Sequence, residues 1–406
     1  MQLEVLNFGC RLNIAEGEAI RTAAMGASIG NQSGLIVVNS CAVTAEAERQ
    51  ARQAVRKAAR ANPDARIILT GCGADVSRDR FAAMPEVSVV LGNDAKLQAE
   101  SYGAGAQPRD ATAPYTPLTS GATHARAFIS VQNGCDHRCT FCIIPYGRGV
   151  SRSARIEDVV RACQAAVDRG QNEVVLTGVD LTSYGHEGYV LGDLVAAILR
   201  DVPALLRLRL SSLDSVEIDP LLEEIITSET RLMPHLHLSL QAGDDMILKR
   251  MKRRHSRAEA AALVARLKAK RPSLAIGADI IAGFPTESEE MFANSLALVE
   301  DCDLVFGHVF PYSPRHGTPA SLMPQVAPQI ARERAGRLRA VVEARRAAWL
   351  QSLVGTTQQM LVELDGVSGH IESFAGVTLS SPAQPKQIVP VVITASDGKH
   401  LAGITA

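Results

Sequence analysis

Cys135-Asp136-His137-Arg138-Cys139-Thr140-Phe141-Cys142 carries three thiols at the spacing C-x3-C-x2-C. A cubane iron-sulfur cluster has four irons, and each takes a ligand. Three close thiolates hold three of them and leave the fourth open to bind a small molecule and pass it an electron. Zinc is the alternative, and it takes four tetrahedral ligands, commonly as two C-x2-C type pairs. No second pair lies near, and only His137, inside the triplet, could complete such a site. The spacing therefore points to a cluster with one open iron.

Outward from the triplet, strand and helix patterns alternate. The candidate strands are Ala127 to Gln132, Glu173 to Thr177, Arg207 to Ser211, His235 to Leu240, Ala275 to Ile281 and Val305 to Phe310. Helical stretches such as Ile156 to Asp168 and Ala258 to Lys270 separate most of them. The triplet follows the first strand, at the carboxyl-end face where barrel active sites lie. Triplet and strand count together resemble the radical S-adenosylmethionine (AdoMet) enzymes and their partial (β/α)6 barrel. That resemblance implies that the amino and carboxylate groups of AdoMet chelate the open iron. Gly178-Val179-Asp180 occupies the place of the family's Gly-Gly-Glu motif, which receives the AdoMet ammonium, with Asp180 one methylene shorter. Ser211, Ser212 and Asp214 follow the third strand, and Gln241 and Gly243 the fourth, as polar groups suited to ribose and carboxylate contacts. The run Asp279 to Glu287 resembles the Gly-rich AdoMet contact of the fifth strand and supplies Asp279 and Gly283.

The first hundred residues also alternate, with strands at Leu3 to Phe8, Leu35 to Asn39, Arg66 to Thr70 and Val87 to Leu91, and helices at Ile14 to Ala27 and Ala45 to Ala61. This is a parallel α/β pattern. The first three strands stop in Cys10, Cys41 and Cys72, spaced 31 residues apart each time. Carboxyl ends of parallel strands share one edge, so three thiols converge there. Any one of them alone reads as a buried cysteine. Together, with Gly9 and Gly71 preceding two of them, they point to a second three-thiolate cluster, the glycines letting the backbone approach a bulky group. Of the remaining cysteines, Cys163 shares an apolar helical face and reads as core, and Cys302 has no assigned role.

Bulk properties set limits. At 406 residues and 46% apolar content the chain suggests two or three domains with sizeable cores. A formal charge of -1 gives no global signal for nucleic acid or membrane. Eight cysteines without a leader or a long apolar run argue for reduced thiols and a cytoplasmic protein that meets no membrane. The expected organisation is residues 1–100 as the cluster-bearing α/β domain, 101–123 as a Pro, Gly, Ala and Thr rich linker, 124–350 as the barrel with a trailing Arg-rich helix, and 351–406 as a small β module.

That order of parts resembles the methylthiotransferase family. The motifs Asn7-Phe8-Gly9-Cys10-Arg11-Leu12-Asn13, Val38-Asn39-Ser40-Cys41-Ala42-Val43-Thr44, Val175-Leu176-Thr177-Gly178-Val179-Asp180-Leu181-Thr182-Ser183-Tyr184-Gly185 and Leu206-Arg207-Leu208-Arg209-Leu210-Ser211-Ser212-Leu213-Asp214 resemble the branch acting on N6-threonylcarbamoyladenosine in tRNA, beside the anticodon. The resemblance implies two 4Fe-4S clusters and AdoMet as cofactors. The cluster on Cys135, Cys139 and Cys142 would give AdoMet an electron, and the 5′-deoxyadenosyl radical so formed would take hydrogen from C2 of the adenine. The second cluster, on Cys10, Cys41 and Cys72, would hold a sulfur that a second AdoMet methylates before its delivery to that carbon. A flavodoxin- or ferredoxin-like electron donor is implied. Two alternatives remain open: the same chemistry on a ribosomal-protein aspartate, and a two-cluster redox sensor without catalysis.

RNA contact requires local positive charge. Lys249, Arg250, Lys252, Arg253 and Arg254 form one run, and Arg148 and Arg152 follow the triplet. These seven are the expected contacts to the anticodon stem-loop. Arg332, Arg334, Arg337, Arg339, Arg345 and Arg346 crowd a later helix whose apolar stripe, Ala331, Ala335, Leu338, Val342 and Trp349, equally fits a solvated charged face. The last fifty or so residues alternate like a small antiparallel barrel and resemble a TRAM module. They carry only Lys386 and Lys399 against Glu363, Asp365, Glu372 and Asp397, which favours bracing the barrel or orienting substrate over direct RNA binding.

Overall fold

The computed structural model describes residues 3–9, 11–27, 34–103, 115–121 and 123–406. The amino-terminal strands β1 (Leu3–Asn7), β2 (Leu35–Ser40), β3 (Arg66–Gly71) and β4 (Val89–Val90) form a parallel sheet in the order 1-2-3-4. Every residue of β2 is buried, because apolar layers cover both faces of the sheet. On one face lies α2 (Ala45–Ala61), started by Thr44, whose Oγ1 accepts from Ala47 N at 3.1 Å. On the other lies α1 (Arg11–Gly26), with Ile20 and Ala24 against Leu35 and Val37. Short helices α3 (Cys72–Val76) and α4 (Arg78–Ala82) follow β3.

Residues 118–120 depart from the linker expectation. They form β5 (Leu118–Ser120), an antiparallel edge strand on β6 (Ala127–Ser130), and Tyr115 Oη lies 2.6 Å from Ser130 Oγ. A three-residue edge strand has no periodicity to read. Residues 104–114 and 122 of that segment lie outside the described residues.

Beyond β6, the pair β7 (Gln132–Asn133) and β8 (Arg152–Ser153) brackets the triplet and α5 (Ile144–Arg148). The barrel continues through α6 (Ile156–Asp168), β9 (Glu173–Thr177), α7 (Leu191–Asp201), β10 (Arg207–Leu210), β11 (Ser212–Leu213) and α8 (Pro220–Ser228). It closes with β12 (His235–Gln241), α9 (Asp245–Met251), α10 (Arg257–Lys270), β13 (Ala275–Ala282), α11 (Glu289–Asp301), β14 (Leu304–Pro311) and α12 (Pro328–Ser352). The strands run in two sheets, 5-6-9-10 and 11-12-13-14, and the break at Ser211 passes the chain from one to the other. All pairs except β5 with β6 are parallel, as in an open (β/α)6 barrel. Cys163 and Cys302 are fully buried in its core.

Five strands, β15 (Thr357–Val362), β16 (Ser368–Ile371), β17 (Gly376–Leu379), β18 (Ile388–Ser396) and β19 (Leu401–Thr405), close a small barrel in the order 15-16-17-19-18. This barrel stops the amino-end mouth of the larger one. Glu173 begins β9, is wholly buried, and pairs with Arg126 Nε at 2.8 Å and Arg209 Nε at 2.9 Å, with Arg207 at 3.7 Å. The same arginines reach the small barrel: Arg207 donates to Gln359 O at 2.8 Å, Arg209 to Glu372 O at 2.7 Å and Ile371 O at 2.9 Å, and Arg126 to Glu363 at 2.6 Å. Phe374 lies under the guanidinium groups of Arg209 and Arg126. The sequence-based reading of the module as a brace agrees with this placement. Among the described residues no helix is long and apolar enough to cross a membrane.

Candidate active site

The triplet loop is pinned from three sides. Thr140 N donates to Met251 O at 3.1 Å and Thr140 Oγ1 to Arg250 O at 2.8 Å, tying the loop to the end of α9. Ala320 N donates to Thr140 O, and Cys135 N to Gly149 O. Phe141 stands edge-on to Phe284, which stands edge-on to Tyr312, so the ring between the last two thiols anchors in an apolar patch.

Asp180 comes to the first thiol. Cys135 Sγ donates to Asp180 Oδ2 at 3.6 Å, and Ser183 Oγ donates to the same oxygen at 2.8 Å. Gln132 arranges this loop: its Oε1 accepts from Val179 N and Asp180 N, each at 2.9 Å, while its Nε2 donates to Gly134 O and Ser151 Oγ. A Cβ at Gly178 would lie 2.9 Å from Gln132 Oε1, so a larger residue there would push the Gln132 amide off its partners. His137 Nε2 lies 3.0 Å from Asp180 Oδ2 and 3.3 Å from Glu217 Oε1. Arg253 Nη2 donates to Asp214 Oδ2 at 2.9 Å and to Ser239 O at 2.7 Å, while its Nη1 lies 3.8 Å from Cys139 Sγ. Burial pushes the Cys135 and Cys142 thiols up to about 12, with the Asp180 charge adding to the effect at Cys135. A metal must therefore displace their protons as it binds.

The donor set fits a cluster better than zinc. Three thiols on one loop give one ligand to each of three irons, whereas a tetrahedral zinc takes four ligands. His137, the zinc candidate read from the sequence, is engaged by Asp180 and Glu217. For AdoMet, the buried Ser211 Oγ lacks a hydrogen-bond partner among the described residues, which suits a hydroxyl kept for a ligand.

The other expected AdoMet contacts lie on, or one residue past, strands of the second barrel sheet. Ser212 is exposed at the start of β11, and Gln241 ends β12 in the left-handed region at φ 68°. Gly283, at φ 72°, has Ala331 of α12 where a Cβ would sit 2.4 Å away, so helix packing accounts for the glycine. Asp279, on β13 and four residues before Gly283, lies with His237 Nε2 at 3.0 Å and His308 Nδ1 at 3.2 Å. Burial would raise its carboxyl, but the hydrogen bonds from the two histidines hold it well below the usual range.

At the second thiol set, Cys41 and Cys72 are both buried at the carboxyl edge of the amino-terminal sheet, and Cys10 lies outside the described residues. The preceding glycines serve a purpose different from the expected one. A Cβ at Gly9, φ 103°, would lie 2.7 Å from Cys41 Cβ, and one at Gly71, φ 93°, 2.3 Å from Ser40 O. They let neighbouring strand ends crowd together, which draws the thiols to one edge.

The barrel reaches this edge through Arg148, whose Nε lies 2.9 Å from Cys72 Sγ. Its side chain is 2% exposed and pairs with the equally buried Glu16, which also pairs with Lys96 at 2.6 Å. Burial alone would raise the Glu16 carboxyl; Arg148 and Lys96 override it and hold it at about 2. A second strap joins Arg315, just past β14, to Glu48 of α2 at 3.1 Å, both buried.

These contacts correct the expected RNA surface. Arg148 is buried and unavailable to phosphate, and Arg253 is almost as enclosed. Arg152 pairs with Asp94, Arg250 donates to Thr286 Oγ1, and Arg254 pairs with Asp214 and Glu217. Lys249 and Lys252 remain exposed. On α12, Arg334 is buried against Glu287 and Arg337 and Arg345 pair with Glu289 and Asp303, so much of that charge serves docking.

Comparison with known proteins agrees with this geometry. Residues 129–299 match the Radical SAM superfamily, and residues 2–92 match the Uncharacterized protein family UPF0004. The chain is 45% identical to the threonylcarbamoyladenosine tRNA methylthiotransferase MtaB of Rickettsia prowazekii, over 93% of this chain and 91% of that protein. It is 34% identical to the MtaB of Aquifex aeolicus, over 89% and 93%. A tRNA-2-methylthio-N(6)-dimethylallyladenosine synthase of Nitratidesulfovibrio vulgaris is 31% identical over 88% and 85%. In fold, the radical S-adenosylmethionine methyltransferase TsrM of Kitasatospora setae superposes with a TM-score of 0.53 at 15% identity, over 77% of this chain and 67% of that one. The chain thus belongs to the radical S-adenosylmethionine methylthiotransferases, in the branch whose members act on threonylcarbamoyladenosine in tRNA.

Proposed function

We propose that this enzyme installs the 2-methylthio group on N6-threonylcarbamoyladenosine beside the anticodon, at position 37 of tRNA, in the cytoplasm. One observation supports the two-cluster reading: α5 ends, six residues beyond Cys142, in an arginine whose Nε is 2.9 Å from Cys72 Sγ, as it would if both thiol sets served one site. Cys135, Cys139 and Cys142 would hold the AdoMet-cleaving cluster, and Cys10, Cys41 and Cys72 the second. Bound there, the clusters and AdoMet supply one-electron cleavage of a carbon-sulfur bond and a methylated sulfur, chemistry beyond side chains.

The chain's own residues bind and orient. Asp180, beside Cys135, would receive the AdoMet ammonium, and Gln132 Oε1, accepting from Asp180 N, would keep its backbone from moving away. Arg253 clamps the loop against Ser239 and Asp214, which keeps a cation near Cys139. Lys249 and Lys252 would meet the anticodon stem-loop, and the adenine would turn out of its stack to reach the site. A flavodoxin- or ferredoxin-like protein would supply electrons. Mass spectrometry of tRNA nucleosides from cells lacking this protein tests the reading. It expects loss of the 2-methylthio group with the threonylcarbamoyl group intact, and an unchanged profile would overturn it.

A further inference from the structure

All five N–H donors of the Arg148 guanidinium are spent. Nε donates to Cys72 Sγ at 2.9 Å; Nη1 donates to Glu16 Oε1 at 2.7 Å and Asn133 Oδ1 at 3.0 Å; Nη2 donates to Asn13 Oδ1 at 2.9 Å and Glu16 Oε2 at 3.2 Å. Four oxygen contacts fix the plane of the group, and that plane aims Nε at the sulfur. A lysine has no such fork.

Glu16 is held in turn from its far side, pairing with the buried Lys96 at 2.6 Å as well as with Arg148 at 2.7 Å. The backbone beneath is also fixed: Asn93 Nδ2 donates to Gly147 O at 2.6 Å, Lys96 Nζ donates to Asn93 Oδ1 at 2.6 Å, and a Cβ on Gly147 would lie 3.3 Å from Cys72 O.

We propose that Arg148 is a positioning residue for the second cluster: its Nε–H holds the Cys72 sulfur while that sulfur ligates iron, and its place on the triplet loop fixes how the two clusters face each other. This rests on reading Cys72 as a cluster ligand. A hydrogen bond from a cation to a ligating sulfur favours the reduced, more negative cluster.

The test is an EPR-monitored redox titration of the anaerobically reconstituted full chain, wild type, Arg148→Met and Arg148→Lys. The AdoMet-binding cluster is told apart by the change in its signal when AdoMet is added, and it doubles as a control for folding. Removing a hydrogen bond to a charged group, worth about 1.5 kcal/mol, should weaken reduction of the second cluster roughly tenfold, or about 59 mV for one electron. Arg148→Lys should recover part of that change. A second-cluster potential unaltered in Arg148→Met overturns the proposal. If Arg148→Met loses that cluster, the lysine variant decides: a wild-type potential overturns the proposal and a lowered one supports it. Cys72→Ala separates the underlying assumption, because retention of the second cluster in that variant would instead refute Cys72 as a ligand.

Discussion

Replacing Glu173 with glutamine should loosen the joint between the two barrels. Burial raises the Glu173 carboxyl, but Arg209, Arg126 and Arg207 overcome it and bring it from 4.5 to about 2. That difference is worth roughly 3 kcal/mol at 1.36 kcal/mol per pH unit, in line with the 3–5 kcal/mol typical of a buried charge stripped of its partner. Because the folded carboxyl titrates below the unfolded one, the contribution is complete above pH 4.5 and is lost as pH falls toward 2. The single tryptophan, Trp349, packs with the core of the small barrel and stands 5.3 Å from Phe306, so its fluorescence reports on this joint. At neutral pH, Glu173→Gln should lower the thermal midpoint seen by Trp349 by roughly 6–12 °C. The gap from wild type should close on acidification, since protonated Glu173 and glutamine are alike in charge. Equal midpoints at pH 7, or a gap independent of pH down to 2, would refute the assignment of this carboxylate as the hub of the joint.

Cys139→Ser should remove the AdoMet-cleaving cluster, cutting bound iron by about half, and abolish 5′-deoxyadenosine formation by the reduced protein. Gly9→Ala places a methyl 2.7 Å from Cys41 Cβ at φ 103°, a strain of about 1–3 kcal/mol; iron analysis should find the second cluster depleted. Lys249→Ala with Lys252→Ala should weaken tRNA binding and flatten the dependence of log K on log salt by about 0.7 for each phosphate no longer neutralised. A filter-binding series from low to high salt measures it, and an unchanged slope would place the RNA elsewhere. Arg253→Met should leave Asp214 to Arg254 alone and remove the cation beside Cys139, seen as faster loss of the AdoMet-binding cluster's absorbance under a chelator.

Much of the architecture was legible because its signals are local. Helices 45–61 and 156–168 match the sequence-based bounds, one opened by Thr44 and the other by an apolar stripe ending at Val167. Strand 173–177 was equally clear. Ser368–Ile371 and Leu401–Thr405 were missed, since four- and five-residue strands containing glycine exist only through closure of a barrel with partners far along the chain. Within the site, the triplet spacing and the glycine before Val179 carried information, whereas Gln132, Glu217 and Glu16 are ordinary residues whose meaning comes from distant partners. Arginines misled for the same reason. Arg148 reads as a surface cation until Glu16, 132 residues earlier, is folded against it.

The Glu48 strap bears on biogenesis. Arg315 is made 267 residues after the carboxylate it covers. At ribosomal speeds of about 5–20 residues per second, that interval lasts roughly 13–53 s. Throughout it Glu48 has Arg52 and Arg80 but not the barrel's arginine, and the edge thiols lack the barrel's cover. Iron delivery to that edge is therefore best timed after the chain has left the ribosome.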